Sequence, residues 1–151
     1  MTAYDVLVAG AAVATGLAGG VLYAFSAFVM AGLRRLTPED GGAAMRAINR
    51  DALRPPLMVL LLAAVGLPVA GAVVGLVTSA PGAVWAVTGA VVAVVGILGV
   101  TGFGNVPLNE RLEAAEDPGA EWQRFVGPWL RWNHVRTVAG AVASLSFVVA
   151  V

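Results

Sequence analysis

Residues 57–109 read LMVLLLAAVGLPVAGAVVGLVTSAPGAVWAVTGAVVAVVGILGVTGFGNVPLN and contain no Asp, Glu, Lys or Arg. The one cluster of turn formers in this run is Thr78-Ser79-Ala80-Pro81-Gly82. It divides the stretch into two apolar segments, each long enough to cross a hydrocarbon layer about 30 Å thick as a helix. A connection this short leaves no room for a crossover, so the two segments are antiparallel neighbours. In lipid the backbone must satisfy its own hydrogen bonds, which makes such segments helical. The fold class is therefore all-α, organised around a membrane hairpin.

The flanks extend the same pattern. Residues 5–33 form a further apolar run that ends at Arg34-Arg35. No basic region precedes it and it is longer than the apolar part of a cleavable signal, so it reads as a retained first span. Thr37-Pro38-Glu39-Asp40 has the form of a helix start, with Thr as N-cap, Pro at the first position and acids in the first turn. The next segment carries Met45, Ile48, Ala52 and Leu53 on one side and Arg46, Arg50 and Asp51 off it, the pattern of a short amphipathic helix on a membrane surface. Arg54-Pro55-Pro56 opens the second span, in which Pro68 removes one backbone bond and predicts a kink. Pro107 predicts the end of the third span. Beyond it lies a polar stretch, with Glu110, Arg111, Glu113, Glu116, Asp117 and Glu121, which predicts a second loop helix broken at Asp117-Pro118-Gly119. Gly127-Pro128 breaks the chain again before the last apolar run. The expected architecture is one domain, residues 1–151: a four-transmembrane-helix bundle, up-down-up-down, with spans at about 5–33, 55–77, 83–106 and 129–149 and a short amphipathic helix in each of the two longer loops. Gly16-x-x-x-Gly20 and Gly71-x-x-x-Gly75 are candidates for close helix contacts, although 19 glycines make chance matches expected.

Composition narrows the function classes. The chain is 59% hydrophobic and 12% charged, against about 25% charged in a typical soluble domain. Net charge is zero, which gives no electrostatic footprint for nucleic acid. There is no cysteine, so disulfides, thiolate metal sites and dithiol redox chemistry are excluded. One histidine, with no carboxylate inside the spans except Asp5 near an end, does not make a usual zinc or di-iron set; the expectation is no metal and no cofactor. All nine basic residues are Arg, five at positions 34–54 and four at 111–136. The positive-inside rule then predicts a multi-pass protein of the inner (plasma) membrane with both long loops cytoplasmic and both termini outside. The expected partners are the lipid bilayer and a hydrophobic small molecule, and the small-residue faces also favour a homo-oligomer.

In this topology the polar residues converge at the loop-side ends of the spans. Tyr23, Ser26 and Met30 are spaced i, i+3, i+7, one helical face. Asn49 precedes the second span. Thr101, Asn105 and Asn109 are spaced i, i+4, i+8. Trp129, Asn133, Arg136 and Gly140 form a matching stripe on the last span, with His134 about 100° round from Asn133. An amide at membrane depth needs partners, so the two stripes are expected to face each other across a polar pocket roofed by Trp132 or Trp129. The same residues have plainer readings. Asn105 and Asn109 can cap a helix near Pro107, and Arg136 can snorkel. Tyr23 and the tryptophans can form an interfacial belt, and His134 can lie at the interface. Of the last-span residues, Asn133 and Arg136 are placed to face inward in preference to His134.

Four segments carry a family resemblance: Leu17-Ala18-Gly19-Gly20-Val21-Leu22-Tyr23-Ala24-Phe25-Ser26, Ala47-Ile48-Asn49-Arg50, Gly104-Asn105-Val106-Pro107-Leu108-Asn109, and Trp132-Asn133-His134-Val135-Arg136-Thr137. Together they resemble the anthrone oxygenase-like membrane family. The resemblance implies a small four-span protein whose fungal relatives oxidise anthrones to anthraquinones with molecular oxygen, without metal or flavin. Fitted to that chemistry, His134 is the base that removes a proton from the central methylene, the only side chain with an ordinary pKa near neutrality. Arg136, Asn105 and Asn109 then hold the developing oxyanion. Tyr23 and Trp132 stack on the rings, with Ser26, Asn49 and Asn133 completing the substrate site. The competing reading is a non-catalytic module that binds a quinone, a lipid or a partner subunit. A small transporter is disfavoured, because transporters place polar residues near the midplane and here they crowd one end.

Overall fold

Five helices account for the computed structural model, which describes residues 1–151 and contains no strand: α1 Ala3–Leu33, α2 Pro38–Ala52, α3 Pro55–Val77, α4 Ala83–Ala114 and α5 Pro118–Ala150. Helices α1, α3 and α4 are each long and apolar enough to cross a membrane, which marks the chain as a membrane protein. α5 is as long, but it carries Arg124, Arg131, Asn133, His134 and Arg136. α1 packs along α5 and α3, and α4 packs along α5 and α3, so the four long helices form a closed ring.

The ring is held together by small residues. Its main apolar core contains Ala11, Ala86, Ala93 and Ala143 with Val8 and Phe147, all fully buried. The larger aliphatic side chains Leu17, Val59, Leu62, Val91, Val95 and Leu145 point outward. Lipid tails are as apolar as leucine, so burying large side chains gains little, and close backbone approach governs the packing. α1 and α5 meet at Gly19 and Gly140: a Cβ on Gly140 would lie 2.7 Å from the Gly19 Cα. The contact pair on α1 is thus Gly16 and Gly19. Gly16 faces Ser144, whose hydroxyl donates to the Ala12 carbonyl at 2.9 Å, whereas Gly20 has no neighbour. In the turn between α3 and α4, Ser79 takes the positive φ of 52°. Gly82 is needed because a Cβ there would collide with the Ala150 carbonyl at the end of α5.

Two boundaries differ from the sequence expectation. α4 does not stop at Pro107 but runs on to Ala114. Two wide-turn segments, Ala93–Gly99 and Thr101–Asn105, precede the proline, and the Val106 N–H bonds back five residues to the Thr101 carbonyl. Pro107 therefore falls in the first turn of a restarted α segment, where its missing N–H costs nothing. α5 likewise does not begin at Trp129. It begins at Pro118, with the Asp117 side chain accepting from the Ala120 N–H as N-cap, and passes through Pro128. The second connection accordingly holds no separate helix: its residues belong to the end of α4 and the start of α5.

α2 starts where its Thr-Pro-Glu-Asp signature predicts, with Thr37 as the cap. Of its apolar side, expected to lie on the membrane surface, Met45 packs on α5 instead, while Leu53 stays exposed. Gly41 and Gly42 lie directly against Trp122 and Pro118. Met45 is buried with Met30, Leu112, Trp122, Phe125 and Trp129. The Arg46 guanidinium donates to the Leu112 and Ala115 carbonyls, satisfying the C-terminal end of α4. Arg50–Glu113, at 2.8 Å, closes the same joint. α2 is therefore a fixed cap over one end of the ring.

The α1–α5 contact gives a stability test. Gly140→Leu should lower the stability of the detergent-solubilised protein by about 3 kcal/mol or more, because overpacking here strikes backbone and not a flexible side chain. Gly20→Leu, one residue along from the Gly19 contact on a free face, should change it by less than about 0.5 kcal/mol. Thermal unfolding of the two variants beside the parent protein checks both.

Candidate functional site

Between the ring and the α2 cap lies a cavity of about 200 Å³. That is the room of roughly six or seven waters at about 30 Å³ each, below the usual 300–1,000 Å³ or so of ligand pockets. Its walls are apolar, from Ala18, Val21, Leu22 and Phe25 on α1, Met45, Ile48 and Leu53 at α2, and Leu57, Met58 and Leu61 on α3. Only four of its lining side chains are strongly polar: Asn49, Thr101, Asn109 and Arg136. An apolar cleft between α3 and α4 adjoins it, sharing Met58, Leu61 and Thr101.

The polar end is built from backbone irregularities. α1 contains a wide-turn segment, Phe25–Val29, in which the Met30 N–H bonds back to the Phe25 carbonyl. Such turns disturb the i→i−4 ladder and commonly sit at functional sites. Here the Leu22 carbonyl accepts the Asn133 side-chain amide at 2.7 Å, and the same amide nitrogen donates to the Ser26 hydroxyl at 2.8 Å. The Asn133 oxygen in turn accepts from the Arg136 guanidinium at 2.6 Å. Asn133 is fully buried, and all of its polar capacity on this side is engaged in joining α1 to Arg136.

Arg136 is 8% exposed. Besides Asn133, it donates to the Thr101 hydroxyl at 3.2 Å, and its guanidinium carbon lies 5.5 Å from the centre of the Trp129 ring, a cation–π distance. No carboxylate pairs with it, as every ion pair of the protein lies elsewhere. Its Nε has no hydrogen-bond partner, and neither does the buried Nδ2 of Asn49. Both nitrogens donate and do not accept. Arg136 and Asn49 both line the cavity, and no acidic group there balances the guanidinium.

Trp129 forms the roof. Its indole N–H donates to the Asn109 oxygen at 2.9 Å, and its ring packs near Phe25 and Phe125 at centroid distances of 5.7 and 5.9 Å. Its carbonyl accepts the Asn105 amide at 3.2 Å. Asn105 is 1% exposed and fastens α4 to α5 without lining the cavity; its oxygen has no partner.

The structure therefore brings together Asn49, Asn109 and Arg136 at the cavity, with Ser26, Asn105 and Asn133 behind them as fasteners. It does not bring in three other expected residues. Tyr23 is 61% exposed and Trp132 is 45% exposed, the latter lying against Gly104 on the outside of the ring. His134 is exposed on the outer face of α5, because a regular helix cannot turn residues 132, 133 and 134 to the same side. Its assignment as the base, and the stacking roles of Tyr23 and Trp132, are withdrawn on this geometry. Thr101, expected on the polar stripe of α4, holds the guanidinium; the residues missed as cavity lining are Met45 and Ile48 of α2 and Leu53 just beyond it. The only sequence signal for the latter was the apolar side of α2.

This fold and site define a helical membrane protein with a small, mostly apolar cavity that ends on a buried, uncompensated arginine. The family model for anthrone oxygenase matches residues 44–146, and the chain belongs to that family. The matched region holds every polar residue of the cavity and leaves out all of α1, including Tyr23 and Ser26. No curated protein and no solved structure matches the chain.

The asparagine at the joint gives a second prediction. Asn133→Ala removes three hydrogen bonds and strands the Arg136 guanidinium and the Leu22 carbonyl, so stability should fall by about 2–4 kcal/mol. Ser26→Ala leaves two of the three in place and should cost under about 1 kcal/mol. Thermal unfolding in detergent separates the two.

Proposed function

We propose that the protein is a membrane-embedded, cofactor-independent oxygenase acting on a hydrophobic aromatic substrate of the anthrone or quinol type. α5 serves as the fourth span. The arginine distribution then puts both long connections and the cavity on the cytoplasmic side of the inner membrane and both termini outside. Substrate dissolved in the bilayer reaches the cavity through the apolar cleft between α3 and α4.

The observation that carries this reading is the buried Arg136, without a carboxylate, at the end of a mostly apolar cavity. A flat aromatic ketone fits that pattern: its rings meet Leu57, Met58 and Phe25, and its oxygen meets the donors of Arg136 and Asn49. Loss of a proton from the methylene carbon places negative charge on that oxygen, where a fixed guanidinium stabilises it. The electron-rich carbon then forms a bond to one atom of O2. The O–O bond breaks, that atom remains as the new carbonyl, and the other leaves as water with the two methylene hydrogens.

A second reading has its own support. No Asp, Glu or His lines the cavity, as suits a module that only binds a quinone or a lipid. Oxygen uptake decides between them. With a hydroxyanthrone and the purified protein in detergent, one O2 should be consumed per anthraquinone formed, well above the detergent blank. Arg136→Gln should lower the rate by about a hundredfold or more, the usual cost of losing an oxyanion donor, and His134→Ala should stay within about twofold of the parent. Binding of the hydroxyanthrone with uptake no faster than the blank would leave the binding module as the answer.

A further inference from the structure

Resting on the reading above, we infer that the cavity captures its ligand as an aromatic oxyanion, an enolate or phenolate. The chain contributes no general base; the proton passes to water. The lining is the first support. All five helices contribute to it, and its polar side chains are Asn49 on α2, Thr101 and Asn109 on α4 and Arg136 on α5. Among all the lining residues Arg136 is the one titratable group, and it cannot accept a proton while charged. The nearest other titratable groups are turned away. Arg46 is bound to the α4 carbonyls, Arg50 pairs with Glu113, and Arg54 pairs with Asp51. Glu110, His134 and Tyr23 are exposed.

The second support is the donor count. Arg136 Nε and Asn49 Nδ2 are buried without partners, while every hydrogen bond Arg136 does make goes to a neutral oxygen. A neutral carbonyl would accept a hydrogen bond from them but leave the guanidinium charge unbalanced. An oxyanion satisfies donors and charge together, and a charge in a site of low dielectric gains far more from this than it would in water. A cationic ligand is excluded on the same grounds. In chemical terms the bound acid HA transfers its proton to water, giving A⁻ and H3O⁺, because the site stabilises A⁻ over HA. Binding makes the ligand itself a stronger acid, and no protein side chain moves a proton.

The test uses 2-hydroxyanthraquinone, a flat tricycle whose colour changes when its phenol ionises, titrated with the purified full-length protein in detergent. The midpoint of ionisation should fall by at least about one pH unit relative to detergent alone, a tenfold preference for the anion. The downshift should disappear in Arg136→Gln and shrink in Asn49→Leu, which leaves the contacts of Arg136 to Thr101 and Asn133 intact. It should persist unchanged in His134→Ala. Phosphatidylglycerol added at equal concentration should not abolish it. A dye that binds with an unchanged or raised midpoint overturns the inference and leaves the cavity reading standing. Loss of the shift in His134→Ala overturns it in favour of that histidine. Displacement by phosphatidylglycerol overturns it in favour of a lipid phosphate. Failure of the dye to bind at all removes the aromatic-substrate reading along with it.

Discussion

A guanidinium buried without a counter-ion is the constraint on which the rest of this structure depends. Taking one charge out of water costs several kcal/mol unless strong interactions replace its hydration. Arg136 receives them from the Asn133 oxygen, the Thr101 hydroxyl and the face of Trp129. Each of those is itself held. Asn133 is anchored on the Leu22 carbonyl and the Ser26 hydroxyl beside the wide turn of α1. Thr101 opens the wide turn that precedes Pro107 in α4, and Trp129 is tied to Asn109. The departures from regular α-helix in α1 and α4, the proline that α4 tolerates and the polar joint are therefore one device for holding a cation where none is otherwise stable.

The remainder of the fold makes that device possible. A ring of helices joined through Ala and Gly brings backbones close enough for an asparagine on α5 to reach a carbonyl on α1, 111 residues away in the chain. Near Gly19 and Gly140 that approach is tight; toward the α2 end Leu22 and Phe25 replace the small residues, and the helices leave room for the cavity. α2 then closes the space from above. Its docking through Gly41, Gly42 and Met45, with Arg46 on the end of α4, turns a loop into a wall.

What the sequence made legible was set by local chemistry. The first three apolar runs, the turn at residues 78–82 and the Thr37 cap each depend on a few neighbouring residues and stand where they were expected. The stripe of Trp129, Asn133 and Arg136 was legible because α5 is regular there, so 3.6-residue spacing holds. The same spacing failed for Tyr23, Ser26 and Met30, because the turn at Phe25–Val29 bonds over five residues and rotates the side chains beyond it. It failed again for Thr101, Asn105 and Asn109, of which the first and last line the cavity while the middle one bonds to the α5 backbone. Pro107 and Pro128 were read as helix ends, although a proline ends a helix only where its missing donor and its clash are not absorbed. The docking of α2 onto α5 was not legible, because an apolar side suits lipid and protein equally well.

The incomplete satisfaction of the site is itself informative. Had a glutamate faced Arg136, the pair would have balanced itself and offered a ligand little, while an aliphatic residue in its place would have spared the desolvation cost entirely. The chain does neither. It keeps a buried cation, satisfies it with neutral oxygens alone and leaves Nε of Arg136 and Nδ2 of Asn49 unpaired beside a greasy cavity. Departures from full polar satisfaction of this kind are expected at functional sites and are unfavourable to stability elsewhere. The group that would complete them has to be apolar over most of its surface and rich in electron density at one end. It cannot be a cation, and it gains most when the charge on its oxygen is full.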